Sequence, residues 1–233
     1  MAAAKVHKPL ELTAPVEDYL KAIYELERSG EPAETNAIAL ILGIAPASVS
    51  GMVRRLAEQG LITHARYHGA RLTAAAGRRA ALKTLRRHRV IEAYLTTALG
   101  YSWDCVHDEA ERLEHAASDE LIDRMAAAIG EPENDPHGAP IPTRDGTLHE
   151  RSLVPLSDVQ AGSGVTVEQV SDNDGDRLRY LAEIGIVPGA QVQVVGRAPF
   201  GGPIALRVRN EKRAIGPELA EQILVAPLAR KRR

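Results

Sequence analysis

Between residues 131 and 157 the chain carries Pro132, Pro136, Gly138, Pro140, Pro142, Gly146 and Pro155, a density of breakers through which no helix can continue. The two sides of this break read differently. Before it, helix-forming segments follow one another from Val16 to Ile129; beyond it, short apolar runs alternate with Gly and Pro turns. A chain of 233 residues is long enough for several small cores. The expectation is an α+β protein with a linker at 131–157 and a β-rich domain at 158–233.

Val16 to Arg28 places Val16, Leu20, Ile23, Tyr24 and Leu26 at helical spacing and stops at Ser29-Gly30. Thr35 to Leu42 predicts a short apolar helix ended by Gly43, and Pro46 opens another that runs through Val49, Met52, Val53 and Leu56 to Gly60. Two runs, Leu61 to His64 and Ala70 to Thr73, then flank the polar turn Tyr67-His68-Gly69, which is a hairpin signal. Helix, turn, helix and wing therefore fill residues 1–73. Ala74 to Leu99 and Ser102 to Ile129 predict two long helical regions, a domain at 74–130 suited to forming a dimer core. In the last domain Val165 to Val170, Gln191 to Val195 and Ile204 to Val208 read as strands, with a short helix near Arg177 to Ile184; a small β-barrel is expected.

Composition matters chiefly for what it excludes. No apolar run approaches the roughly 20 residues that span a bilayer, and Met1 to Leu12 lacks the apolar core of an export signal, so a cytoplasmic location without a membrane partner is expected. The single cysteine, Cys105, has no disulfide or CxxC partner and reads as a small, semi-buried side chain. Net charge is only −2, but its distribution is uneven. From Arg54 to Arg89 ten Arg or Lys residues accompany one carboxylate, Glu58; from Ser102 to Glu150 thirteen Asp or Glu accompany three Arg. One stretch suits phosphates and the next suits cations.

In a helix-turn-helix the second helix enters the major groove with its N-terminal residues nearest the bases. Here that end is Ala45, Pro46, Ala47, Ser48, Ser50 and Gly51, small groups able to touch thymine methyls or make single hydrogen bonds. Arg54 and Arg55 follow as phosphate contacts, and Arg66 with His68 would sit on the wing. Two short helices and a hairpin also serve in protein–protein modules, and the basic stretch favours double-stranded DNA.

The run His107-Asp108-Glu109-Ala110-Glu111-Arg112-Leu113-Glu114-His115 repeats His107, Glu111 and His115 every four residues, with Glu114 three after Glu111. On one helix these project from one face, where carboxylates repel unless a cation lies between them. His88 and Glu92, also four apart, offer a second coordinating face. A carboxylate-bridged metallohydrolase would use similar residues, but its duplicated Glu-x-x-His motifs on four helices are absent, and no nucleophile stands beside a base. No small organic substrate is implied. A metal buffer or partner-binding module without DNA affinity is disfavoured by the basic stretch.

The chain resembles the diphtheria-toxin-repressor family of metal-dependent regulators along nearly its whole length. The resemblance rests on Glu17-Asp18-Tyr19-Leu20 with Ile23-Tyr24-Glu25-Leu26, on Ser48-Val49-Ser50 with Val53, on Arg87-His88-Arg89 with Glu92, on Val106 to Ala110 with Glu114-His115 and Ser118-Asp119, and on Asp135-Pro136-His137-Gly138 with Pro140-Ile141-Pro142. It implies a winged helix-turn-helix, a helical dimerisation domain bearing the metals, and a C-terminal SH3-like, FeoA-like barrel. It also implies a homodimer on operator DNA, controlling metal-homeostasis genes. The iron-responsive branch has methionine at the Asp18 position and cysteine at the Glu111 position, and oxygen at both suits Mn²⁺. Two Mn²⁺ per subunit are implied, with Fe²⁺ or Co²⁺ as substitutes and an iron-responsive repressor as the alternative. The implied primary site is Asp18, Glu111, Glu114 and His115, beside a site of His88, Glu92 and His107. Lys21 stands where compact two-domain manganese regulators have a glutamate, so the three-domain arrangement is implied, with Asp172 and Asp174 as candidate ligands from the last domain. Histidine ligands must be neutral, so affinity is expected to weaken below about pH 6.5.

Overall fold

The computed structural model describes residues 12–65, 69–149 and 151–228. The chain divides into two compact units, one up to Leu85 and one from Arg86.

In the first unit, α1 (Ala14–Ser29) starts after Thr13 with proline in its first turn and ends at Gly30, whose φ of 80° a side chain would resist. Its Leu20, Ile23 and Tyr24 are fully buried, with Ile38 of α2 (Thr35–Leu42) and Val49 and Leu56 of α3 (Pro46–Glu58). Strands β1 (Ile62–Ala65) and β2 (Gly69–Leu72) pair antiparallel from Ile62↔Leu72 to Ala65↔Gly69. The Leu72 amide donates to the Glu27 carboxylate at 2.9 Å, tying this hairpin to α1. These are the elements of a winged helix-turn-helix.

Helix α4 (Gly77–Leu99) begins three residues later than Ala74, because the Thr73 hydroxyl takes the Gly77 amide at 3.0 Å and residues 74–76 turn. The expected long helix at 102–129 is two: α5 (Val106–Leu113) and α6 (Asp119–Ala128). Ser118 starts α6 afresh, its hydroxyl accepting the Leu121 amide at 3.2 Å, with Asp119 and Glu120 favouring the positive helix end. Val90, Ile91, Leu95, Val106, Ala110, Ile122 and Ala126 form the core between these helices, and Ile141 packs against it.

That last contact takes residues 131–142 out of the stretch read as a linker at 131–157. Proline lacks the donor but keeps its carbonyl, and Arg89 and Arg86 donate to the Pro140 and Pro142 carbonyls at 2.6 and 3.0 Å. The part up to Pro142 is packed, with Asp135, His137 and Ala139 buried, while Thr143, Arg144, Asp145, Thr147 and His149 are exposed. The end of the stretch supplies β3 (Val154–Pro155), which pairs with the last strand, followed by a single 3₁₀ turn at Leu156–Asp158.

The remainder is a six-stranded antiparallel sheet in the order β3-β8-β4-β5-β6-β7, the SH3-like layer. Strands β4 (Gly164–Val170), β5 (Gln191–Arg197) and β6 (Ile204–Val208) lie near the predicted positions, as does α7 (Gly175–Glu183). Strand β7 (Glu211–Ile215), helix α8 (Pro217–Glu221) and strand β8 (Ile223–Pro227) were not predicted. Strand β7 is an edge strand whose exposed Glu211, Lys212 and Ala214 hide its alternation. Leu156, Val167, Leu206, Ile223 and Val225 are fully buried in the core, and Trp103 packs on it.

Candidate metal centre

Helix α4 places His88 and Glu92 one turn apart, both buried, facing α5. His88 Nδ1 lies 2.5 Å from Glu114 Oε2, while its Nε2 lies 3.1 Å from Glu92 Oε1 and 3.2 Å from His107 Nδ1. Glu111 Oε1 is 3.7 Å from His88 Nδ1 and 3.9 Å from His107 Nε2. The expected single face holds only in part. Helix α5 ends at Leu113; Glu114 keeps helical angles as its cap and stays fully buried, and His115 follows in a turn, Nε2 3.5 Å from Glu114 Oε1. Asp18 lies half-buried on α1 of the first unit.

From the sheet side Asp172 brings Oδ2 to 3.6 Å from His107 Nδ1. Asp174 does not join it. That carboxylate caps α7, accepting the Asp176 and Arg177 amides at 3.0 and 3.2 Å, and pairs with the Arg177 side chain.

Two residues went unnamed as ligands: Asp135 and His137. One oxygen of Asp135 takes the His137 and Ala139 amides, each at 2.9 Å. His137 Nε2 meets the Trp103 carbonyl at 2.7 Å, which fixes the ring, and its Nδ1 lies 3.8 Å from Glu92 Oε1. Glu92 Oε2 and His137 Nδ1 are buried without a hydrogen-bond partner, and Asp135 Oδ2 is buried with only the Arg89 guanidinium beside it, at 3.5 Å. Glu92, Asp135 and His137 each bring one donor atom within 4.8 Å of the others, and buried acceptors so incompletely satisfied fit a cation. The Asp135-Pro136-His137-Gly138 motif was the available signal, masked by its prolines.

The carboxylates of the cluster favour positive charge on the imidazoles among them. Burial opposes ionisation of Glu92, but the imidazoles of His107, His137 and His88 beside it outweigh that and keep the carboxyl well below the usual range. Against burial, Asp172 and Glu92 push His107 up to about 10, and Glu92 raises His137 to about 9. Burial and the Glu92 charge raise Asp135 to about 7. The donors are carboxylate oxygen and imidazole nitrogen, a set suited to Mn²⁺, Fe²⁺ or Co²⁺; Cys105, expected semi-buried, is exposed.

On α3 the residues expected to read DNA, Ala45, Pro46, Ala47, Ser48, Ser50, Gly51, Arg54 and Arg55, are all exposed, while Val49, Val53 and Leu56 turn inward. Arg66 and His68 lie outside the described residues. The basic stretch does not extend to Arg89 as a phosphate surface. Arg86 pairs with Asp123 and Arg87 with Asp119, both at 3.1 Å, and Arg89 lies 3.5 Å from Asp135. These guanidiniums serve the neighbouring acidic segment.

Comparison with known proteins bears on both surfaces. Residues 11–70 match the iron dependent repressor N-terminal DNA binding domain, 74–143 its metal binding and dimerisation domain, and 154–227 the FeoA domain. The iron-dependent repressor IdeR of Mycobacterium leprae is 32% identical over 228 residues, covering 92% of this chain and 98% of that protein. The chain belongs to the diphtheria-toxin-repressor family. As a member of this family it is a metal-dependent transcriptional repressor and not an enzyme. The diphtheria toxin repressor of Corynebacterium diphtheriae is 30% identical, covering 94% of this chain and 99% of that protein. Among solved structures, a manganese-dependent transcriptional repressor in complex with manganese is 40% identical with a TM-score of 0.87, covering 91% of this chain and all of the other. ScaR with bound Cd²⁺ is 30% identical with a TM-score of 0.81, covering 91% and 99%.

Proposed function

We propose that this family member is activated by Mn²⁺ and represses metal-homeostasis genes as a homodimer on operator DNA in the cytoplasm. The observation that carries the reading is the donor set. Around His88 and Glu92 gather Glu111, Glu114, His107 and Asp172, all oxygen or nitrogen donors, with no sulfur among them. Oxygen-rich sets suit the harder Mn²⁺. The 40% identity to a manganese-dependent repressor supports the same metal, while 32% identity to an iron-dependent repressor keeps iron as the second reading.

The proposed primary ligands are Asp18, Glu111, Glu114 and His115; the proposed second set is His88, Glu92, His107 and Asp172, with Asp135 and His137 adjoining through Glu92. Bound Mn²⁺ supplies the positive charge that lets these carboxylates stay ionised together. Asp18 belongs to the helix that opens the DNA-binding domain and the other primary ligands to the dimerisation domain, so occupancy restricts the spacings the two winged helices of a dimer can sample. Repression then follows when both reading helices meet major grooves a whole number of turns apart.

Fluorescence anisotropy on the protein's own promoter region, with free Mn²⁺, anaerobic Fe²⁺, Co²⁺ and Zn²⁺ each buffered, tests this. At matched free concentration Mn²⁺ should promote DNA binding more strongly than Fe²⁺. Stronger activation by Fe²⁺ would make the chain an iron regulator, and DNA binding indifferent to every metal would remove the metal switch.

A further inference from the structure

Of the second ligand set, Asp172 alone comes from beyond the helices, on the short loop between β4 and α7. A loop carboxylate makes a good ligand only if its backbone is held, because first-contact geometry is set by the groups behind the ligand. Behind Asp172 the loop is clasped from two directions. Asp174 caps α7 through its side chain. On α7 itself Arg179 reaches across to the turn between α4 and α5, where its Nη1 meets Asp104 Oδ2 at 2.8 Å. Its other nitrogen, Nη2, holds Asp176.

The receiving end is well built. The Asp104 side chain is 7% exposed against 53% for Arg179, and the Ser102 hydroxyl donates to its other oxygen. The Asp104 carbonyl presses on Gly175 at the start of α7, where a Cβ would come within 2.7 Å of it, so only a bare α-carbon permits the approach. Asp104 stands three residues before His107, the residue Asp172 faces, and Trp103 beside it packs on the sheet core and gives its carbonyl to His137. An ion pair with one half-exposed partner adds little to stability. This one joins α7 to the α4–α5 turn beside the Asp172–His107 contact.

We propose that Asp104 and Arg179 form a positioning pair that holds the first turn of α7, and through it the Asp172 carboxylate, over His107 for the second cation. The inference rests on the metal reading above. Neither residue is a ligand; both act through Asp172.

The test is calorimetric titration of the full chain with Mn²⁺ alone, for wild type, Arg179→Ala, Arg179→Lys, Asp172→Ala and the double variant Arg179→Ala with Asp172→Ala. Arg179→Ala should weaken one Mn²⁺ step by about 10-fold or more, the usual effect of losing a group behind a metal ligand, and leave the other step unchanged. Arg179→Lys should recover part of that loss, since it restores the charge without the fork. Once Asp172 is gone the pair has nothing to position, so the double variant should bind as Asp172→Ala does. Circular dichroism and melting of each variant separate this from unfolding. An equal loss in the presence and absence of Asp172, or a loss shared by both steps, makes the pair merely structural and overturns the proposal. Two Mn²⁺ steps indifferent to Arg179 overturn the pair alone; a wild-type chain with no second step overturns the two-metal reading and the pair with it.

Discussion

His107 and His137 hold protons at neutral pH because Asp172 and Glu92 surround them with negative charge, and a metal needs those same nitrogens unprotonated. The raised values extend the pH dependence well above the 6.5 expected from ordinary histidine. For a group raised above 7 the protonated state competes with the cation throughout the neutral range, so Mn²⁺ affinity should fall steadily as pH falls from about 9. Calorimetry near pH 7 in two buffers of different ionisation heat should register release of about one to two protons per subunit on loading. Zero release would mean that these imidazoles are not ligands. Metal choice is also decided by single residues. Replacing the hard oxygens by sulfur, Asp18→Met with Glu111→Cys, should move the activation preference from Mn²⁺ toward Fe²⁺, Co²⁺ or Ni²⁺, read as promoter affinity against buffered free metal. A double variant that kept the manganese preference would show that these two positions do not set it.

At the scale of elements, α3 presents one face to the core and one to solvent, and the solvent face begins with small side chains and ends with Arg54 and Arg55. Such a helix draws most of its affinity from phosphate contacts and little from base edges. Arg54→Ala should therefore weaken binding similarly on many sequences and lower the slope of log affinity against log salt by about one. An unchanged slope would place Arg54 off the DNA. Within the second unit, α4 divides its labour between two faces. His88 and Glu92 face the cluster of carboxylates and imidazoles, while Arg86 and Arg89 secure the proline-rich segment through the Pro142 and Pro140 carbonyls. That segment carries Asp135 and His137 to the cluster, so its prolines shape a wall of the centre.

The whole molecule joins a DNA-binding unit to a unit in which helices and a sheet share one cluster of ligands. On the helices of the second unit Leu99, Leu113 and Leu121 are 58%, 39% and 47% exposed, and all three lie in the stretch that matches a metal binding and dimerisation domain. They support association through α4 to α6. Sedimentation with Mn²⁺ at micromolar protein should give a homodimer, and Leu121→Glu should favour the monomer. A wild-type monomer under those conditions would leave the spacing mechanism without its second reading helix.

Local periodicity was enough to mark α1 to α4, the hairpin, the small-residue face of α3 and the one-turn spacing of His88 with Glu92 and His107 with Glu111, because backbone hydrogen bonding and side-chain direction repeat over a few residues. Tertiary structure alone decided what those faces meet. Arg86, Arg87 and Arg89 read as part of a phosphate surface, yet each turns to a carboxylate that the fold brings near. Asp135 and His137 read as linker residues until two arginines and the core at Ile141 hold the prolines down. Asp172 and Asp174 are equivalent on paper; one lies over His107 and the other caps a helix. The strength and the partner of a charge are set by burial and by long-range neighbours, and neither is encoded in the few residues on either side of it.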